Sequence, residues 1–233
     1  MSTFYTFNEE AQGANPNNLI EAADGSLYGT TQYGGVTGGG TIFRITLDGK
    51  LTVLTTLCEQ SPSCVFGPPA GLVQASDGNF YGVTAAGGIY GNGAIFRMTP
   101  RGDVTALYSF CATTCDRSRV VAPLIQGTNG VLYGTKDGIS PDDLGTLFSL
   151  SLDLPPFVEP TPNFGRVGRT IGVLGNNLSS ATEVTFNGVP ASFVVESDTF
   201  LEATVPSGAT TGKVQVTQAE KTLSSNTAFV VLP

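Results

Sequence analysis

Short apolar runs bounded by Gly, Asp, Asn or Pro fill this chain, and long stretches of helical period are missing. Such spacing predicts β-strands joined by tight turns. The runs are also self-similar. "DGSLYGTTQYGG" begins at Asp24, "DGNFYGVTAAGG" at Asp77 and "NGVLYGTKDG" at Asn129. Tyr28, Tyr81 and Tyr133 are spaced by 53 and 52 residues, and Phe43, Phe96 and Phe148 follow the same step. Before each Tyr stands an apolar run ("NNLIEA", "AGLVQA", "APLIQG"), and between units stand "LTVLTTL" (Leu51–Leu57) and "VTALYSF" (Val104–Phe110). Each unit is therefore expected to hold four short strands, the pattern of a propeller blade of about 52 residues.

The repeated residues read as scaffold. Asp-Gly or Asn-Gly before the Tyr strand suggests a type I′ hairpin turn. Gly29, Gly82 and Gly134 suit close packing. The Tyr and Phe rings suit a core between blades.

The third unit ends differently. No outer strand follows "GTLFSLSL", whereas Thr3–Phe7 ("TFYTF") has the look of the strand that is missing. Three blades do not close comfortably on themselves, which suggests a homodimer closing a six-bladed ring. The competing account is a piece of a longer repeat array. The pattern "DGxLYGTTxxGG…GTIFRIT" resembles the bacterial choice-of-anchor repeat known as the GloVer repeat. The resemblance spans roughly Thr3 to Asp153, and the third copy departs from it where "KDGISPDDLG" replaces the Gly-Gly turn. It implies a surface or secreted propeller array and no known catalytic activity.

From Leu154 the rhythm changes. Pro-rich "LPPFVEPTP" reads as a linker, and short alternating strands with Asn-Gly, Pro and Ser-Gly turns follow, the rhythm of a β-sandwich. "TEVTFNGVPASFVV" predicts a hairpin turning at Asn187-Gly188. "GNNL", "VTFNG", "ATVPSGATTGKVQVT" and "NTAFVV" make this part similar to the IPT/TIG immunoglobulin-like family. That family occurs in DNA-binding factors and in extracellular proteins, where it usually acts as a spacer or packs on a neighbour. The expected fold is all-β: 1–153 as three propeller-type four-stranded blades, then 154–233 as an immunoglobulin-like sandwich.

Charge narrows the partners. The net charge is −8, and neither part has a basic excess: 7 basic against 13 acidic residues through Asp153, then 4 against 6. Phosphate neutralisation needs the opposite balance, so no nucleic acid is expected. No run is apolar enough for a membrane span. "MSTFYTFNEE" lacks the features of a signal peptide, so the chain is either cytosolic or begins after an upstream segment.

The four cysteines fall as Cys58-x5-Cys64 and Cys111-x3-Cys115. Local disulfides 58–64 and 111–115 are the preferred pairing, with cross-pairing or free thiols as the alternatives. Disulfides would point to an oxidising, extracellular or cell-surface location.

With no His in the chain, Ser-His-Asp and Cys-His catalysis are excluded, and no catalytic residue, cofactor or metal is assigned. A carboxylate pair on a propeller face remains the enzymatic alternative, a carbohydrate-active one. A purely structural spacer is the third reading. "RGD" at Arg101–Asp103 aligns with Asp48-Gly49-Lys50 and reads as an ordinary turn. Candidate binding residues are those that break the repeat: Asp116, Arg117, Arg119, Lys136, Asp137, Asp142 and Asp143. A docked glycan or surface protein is the expected partner.

Overall fold

The computed structural model describes residues 3–36, 38–58, 69–110, 120, 122–137, 144–219 and 221–233, with backbone only at Cys58 and Pro69. The chain divides into two compact units, Met1–Ile125 with Leu132–Leu150 and Gln126–Val131 with Ser151–Pro233. Among the described residues the only helical pieces are one α-turn, α1 (Glu9–Gln12), and a 3-10 turn, Leu178–Ser180.

In the first unit β1 (Ala14–Glu21), β2 (Leu27–Tyr33), β3 (Gly38–Ile45) and β4 (Leu51–Cys58) form an antiparallel meander. A second sheet repeats it with β5 (Pro69–Gln74), β6 (Phe80–Thr84), β7 (Ala94–Met98) and β8 (Val104–Ser109). The third sheet has three strands, β9 (Ile125–Gln126), β10 (Leu132–Lys136) and β11 (Thr146–Leu150), and β11 lies at its edge. Among the described residues no further strand pairs with β11, in line with the outer strand the sequence lacks after Leu150.

Five hairpin turns of this repeat correct one expectation. Gly25 donates to the Ala22 carbonyl while Ala22 donates to Ser26, and the pattern recurs at Ala75–Asn79, Gly127–Val131, Thr46–Lys50 and Thr99–Asp103. Each loop holds three residues with one glycine at positive φ, as at Gly25 (75°) and Gly78 (82°), while Asp24 and Asp77 are not at positive φ. This is a type I turn closed by a left-handed residue, not type I′, which needs two positive φ values. "RGD" is one of these turns, at the β7–β8 hairpin.

Alternation along the strands gives each sheet two faces. One carries Leu19, Leu27, Gly29, Phe43 and Ile45; the other carries Tyr28, Thr30 and Ile42. Tyr28, Ile42 and Leu57 of the first sheet share a buried cluster with Leu72, Phe80, Phe96 and Met98 of the second. Tyr28 stacks on Phe80 with ring centroids 4.3 Å apart. Of the repeated rings, Tyr28 and Phe96 therefore fill the core between the first two sheets. Gly29, Gly82 and Gly134 have a specific reason: a Cβ there would lie 2.6, 2.5 and 2.4 Å from Cζ of Phe43, Phe96 and Phe148. The ring of the neighbouring strand occupies the place of the missing side chain.

The second unit is a sandwich. One sheet runs β12 (Glu159–Thr161), β14 (Thr170–Leu174), β18 (Phe200–Thr204), β17 (Phe193–Ser197), with β13 (Phe164–Arg166) paired in parallel to β21 (Val230–Leu232). The other runs β16 (Val189–Ala191), β15 (Ala181–Phe186), β19 (Val214–Gln218), β20 (Thr222–Ser224). Its core includes Val158, Val173, Val184, Phe186, Leu201, Val214, Val216 and Phe229, with Phe186 and Phe229 edge to face at 5.0 Å. The β15–β16 hairpin turns at Asn187 (φ 47°) and Gly188 (φ 82°), as expected, and with both residues left-handed it has the two-residue I′ geometry.

Candidate functional site

The repeated aspartates are occupied by the scaffold. Asp24 accepts from the Ser26 amide (3.0 Å) and the Tyr28 hydroxyl (3.1 Å), and pairs with Arg44 Nη2 at 3.3 Å. Arg44 Nε donates to Ser26 Oγ at 2.9 Å. The second copy keeps the core of this arrangement, Tyr81 donating to Asp77 at 2.9 Å. Asn79 replaces Ser26 there and donates to Asp77 instead, and Arg97 Nε is left buried with no partner among the described residues.

Burial pushes Asp24 up, but the Ser26 amide, the Tyr28 hydroxyl and Arg44 together hold it below the ordinary aspartate value. The Thr46 hydroxyl lowers Asp48 in the same sense. A glycosidase acid needs a carboxyl held up, in its protonated form. These two move the other way.

Thr31 and Thr84 mark where the third copy diverges. Both are buried, and both accept from the facing strand, Thr31 from the Thr41 amide (2.8 Å) and Thr84 from the Ala94 amide (3.1 Å). Thr31 and Thr41 also share a hydroxyl contact at 3.0 Å. The equivalent position in the third copy is Lys136, at the end of β10, whose Nζ lies 5.7 Å from the centre of the Phe110 ring. The ring's quadrupole attracts the ammonium, and Phe110 itself is buried. Sequence singled out Lys136 for breaking the repeat; that it sits over Phe110 required the third dimension.

Asp137, adjoining Lys136, is exposed. Cys64, Cys111, Cys115, Asp116, Arg117, Arg119, Asp142 and Asp143 lie outside the described residues, as does the Cys58 side chain. Among the described residues no three His, Cys, Asp or Glu side chains cluster to hold a metal, and no helix is long and apolar enough to cross a membrane.

Two further features were not legible in sequence. An apolar groove of about 690 Å³ runs beside the N-terminal segment, lined by Phe4, Tyr5, Phe7, Leu19, Leu27 and Phe43 among others. In the second unit a polar hollow of about 450 Å³ holds Asn177, Ser180, Gln218 and Lys221 around the Ser179–Asp198 hydrogen bond of 2.5 Å.

A family model described as the Gloeobacter/Verrucomicrobia repeat matches residues 1–158, and one described as the IPT/TIG domain matches residues 158–231. No curated protein matches the chain. Among solved structures it is similar to a protein described as a "putative gluconolactonase", at 19% identity and a TM-score of 0.35, over 88% of this chain. The chain spans 60% of the length of that protein.

Proposed function

The chain belongs to the Gloeobacter/Verrucomicrobia repeat family and carries a C-terminal IPT/TIG domain, and on that premise we propose a non-enzymatic surface or secreted binding and display module. Residues 1–153 are the blades that present the docking loops, and 154–233 the immunoglobulin-like domain. The carrying observation is Lys136: where two sheets bury a threonine that ties their strands, the third sheet sets a cation over Phe110. The repeated Asp24 and Asp77 are engaged by the tyrosine hydroxyls of the strands that follow them rather than offered as a carboxylate pair, which supports this reading over the carbohydrate-active alternative. The partner is a glycan or surface protein docking on the repeat-breaking segments that carry Asp116, Arg117, Arg119, Lys136, Asp137, Asp142 and Asp143. An extracellular setting fits the two local cysteine pairs, 58/64 and 111/115, that the sequence offers as disulfides.

A glycan and protein array probed with the full chain tests this. Binding without product release is expected, weakened about tenfold in Lys136→Ala, equivalent to ~1.4 kcal/mol. Release of reducing sugar from any bound glycan would replace this reading with the enzymatic one.

A further inference from the structure

We propose that the open face of the third sheet receives the open face of the first sheet of a second copy, with Thr3–Phe7 of that copy pairing along β11 as its fourth strand. The contact continues one the chain already makes twice with itself. Leu72 and Leu124 hold one position on the face turned toward the preceding sheet, and each is 2% exposed; Leu19, at the same position in the first sheet, is 50% exposed. On the opposite face Ile42 and Ile95 are 0% and 2% exposed, while Leu147, their equivalent, is 72% exposed. Two sheets are covered where the third and first are bare, and the bare faces are the two halves of one repeated interface.

The N-terminal segment identifies the missing strand. At the end of β8, Tyr108 meets Phe110 edge to face at 5.2 Å, and Phe110 meets Phe148 of the next sheet at 5.7 Å. Tyr5 meets Phe7 in the same way at 5.4 Å, and Phe7 meets Phe43 at 5.0 Å. Thr3–Phe7 therefore lies on the first sheet as the outer strand of a preceding sheet would, and the groove beside it, with Leu19 and Leu27 in its wall, is the space that sheet would fill. Among the described residues, the third sheet of this same fold is the one short of its outer strand. By the register of β7 with β8, where Ile95 faces Tyr108 and Ala94 faces Ser109, Leu147 would face Tyr5 and Thr146 would face Thr6.

Two copies supply six sheets, inside the range of about four to eight found in closed propellers. A head-to-tail contact of this kind closes at two copies if the rotation permits, and an unpaired β11 edge is covered in doing so.

Sedimentation of the full chain reads the outcome. A species of twice the 24.1 kDa chain mass is expected. Leu19→Glu and Leu147→Glu should each halve that mass with an unchanged circular dichroism spectrum, since both side chains are solvent-exposed within one chain. Mixing the two variants should restore pairs, because each contributes one intact face. Val194→Glu, exposed in the second unit, should leave the mass unaltered. A monomeric wild-type chain, or a dimer indifferent to both leucine variants, overturns the proposal. Neither Leu19 nor Leu147 is among the residues invoked for partner docking, so array binding by the Leu19→Glu monomer is read separately from the mass of the wild-type chain.

Discussion

Phe96 and Gly82 show how one residue's absence of a side chain positions another. The ring of Phe96 lies over Gly82, and a Cβ there would meet Cζ at 2.5 Å and the Gly71 carbonyl at 2.8 Å. Gly82→Ala therefore forces ring or strand to move in a core that has no slack, at a cost of about 1–3 kcal/mol. Urea titration should show the loss, and adding Phe96→Leu should recover part of it. Additive losses in the double variant would mean that the clash with Gly71 dominates. Tyr81 illustrates the other constraint. Burial first, and the hydrogen bond to Asp77 second, raise its hydroxyl well above the ordinary tyrosine value, and Tyr28 is raised for the same reasons. The neutral hydroxyl is the form the fold holds.

At the scale of elements, turn chemistry separates the two units. The repeat uses three-residue loops with one left-handed glycine, whereas β15 and β16 join through Asn187-Gly188 with both residues left-handed. Both designs read as "Asp/Asn-Gly" in sequence, which is why the repeat's turns were expected to be type I′. What differs is the residue before the glycine. Asp24 and Asp77 stay out of the left-handed region because their carboxylates are drawn to the Tyr hydroxyl and to the backbone amide two residues on. Asn187 instead enters that region and donates to Thr210 Oγ1 at 2.8 Å. Asn187→Ala should cost about 1–2 kcal/mol, chiefly from a left-handed residue bearing a Cβ and no compensating hydrogen bond. A urea midpoint unchanged from wild type would show that the hairpin relaxes to another turn.

At the scale of the molecule, the tyrosine hydroxyls set an alkaline limit. A folded-state pKa above the unfolded value contributes stability that is fully present below about pH 10 and is lost as pH rises through the folded value. Unfolding on the alkaline side should therefore steepen above pH 10, and part of the tyrosinate absorbance of the 7 tyrosines should appear only with the loss of β-signal. Tyr81→Phe should flatten that slope. Titration of all 7 in the folded protein would remove this account.

Sequence by itself determined the strands, their period of about 52 residues, the third repeat's want of an outer strand, and the sandwich with its Asn187-Gly188 hairpin. These follow from alternation and turn residues, which act over a few positions of chain. Tertiary structure decided the rest: that Phe96 lies over Gly82, that Lys136 lies over Phe110, and that Leu19 and Leu147 are bare while their equivalents are covered. Burial is set by neighbours some fifty residues away, and identical repeats carry no sign in themselves of which copy has such a neighbour.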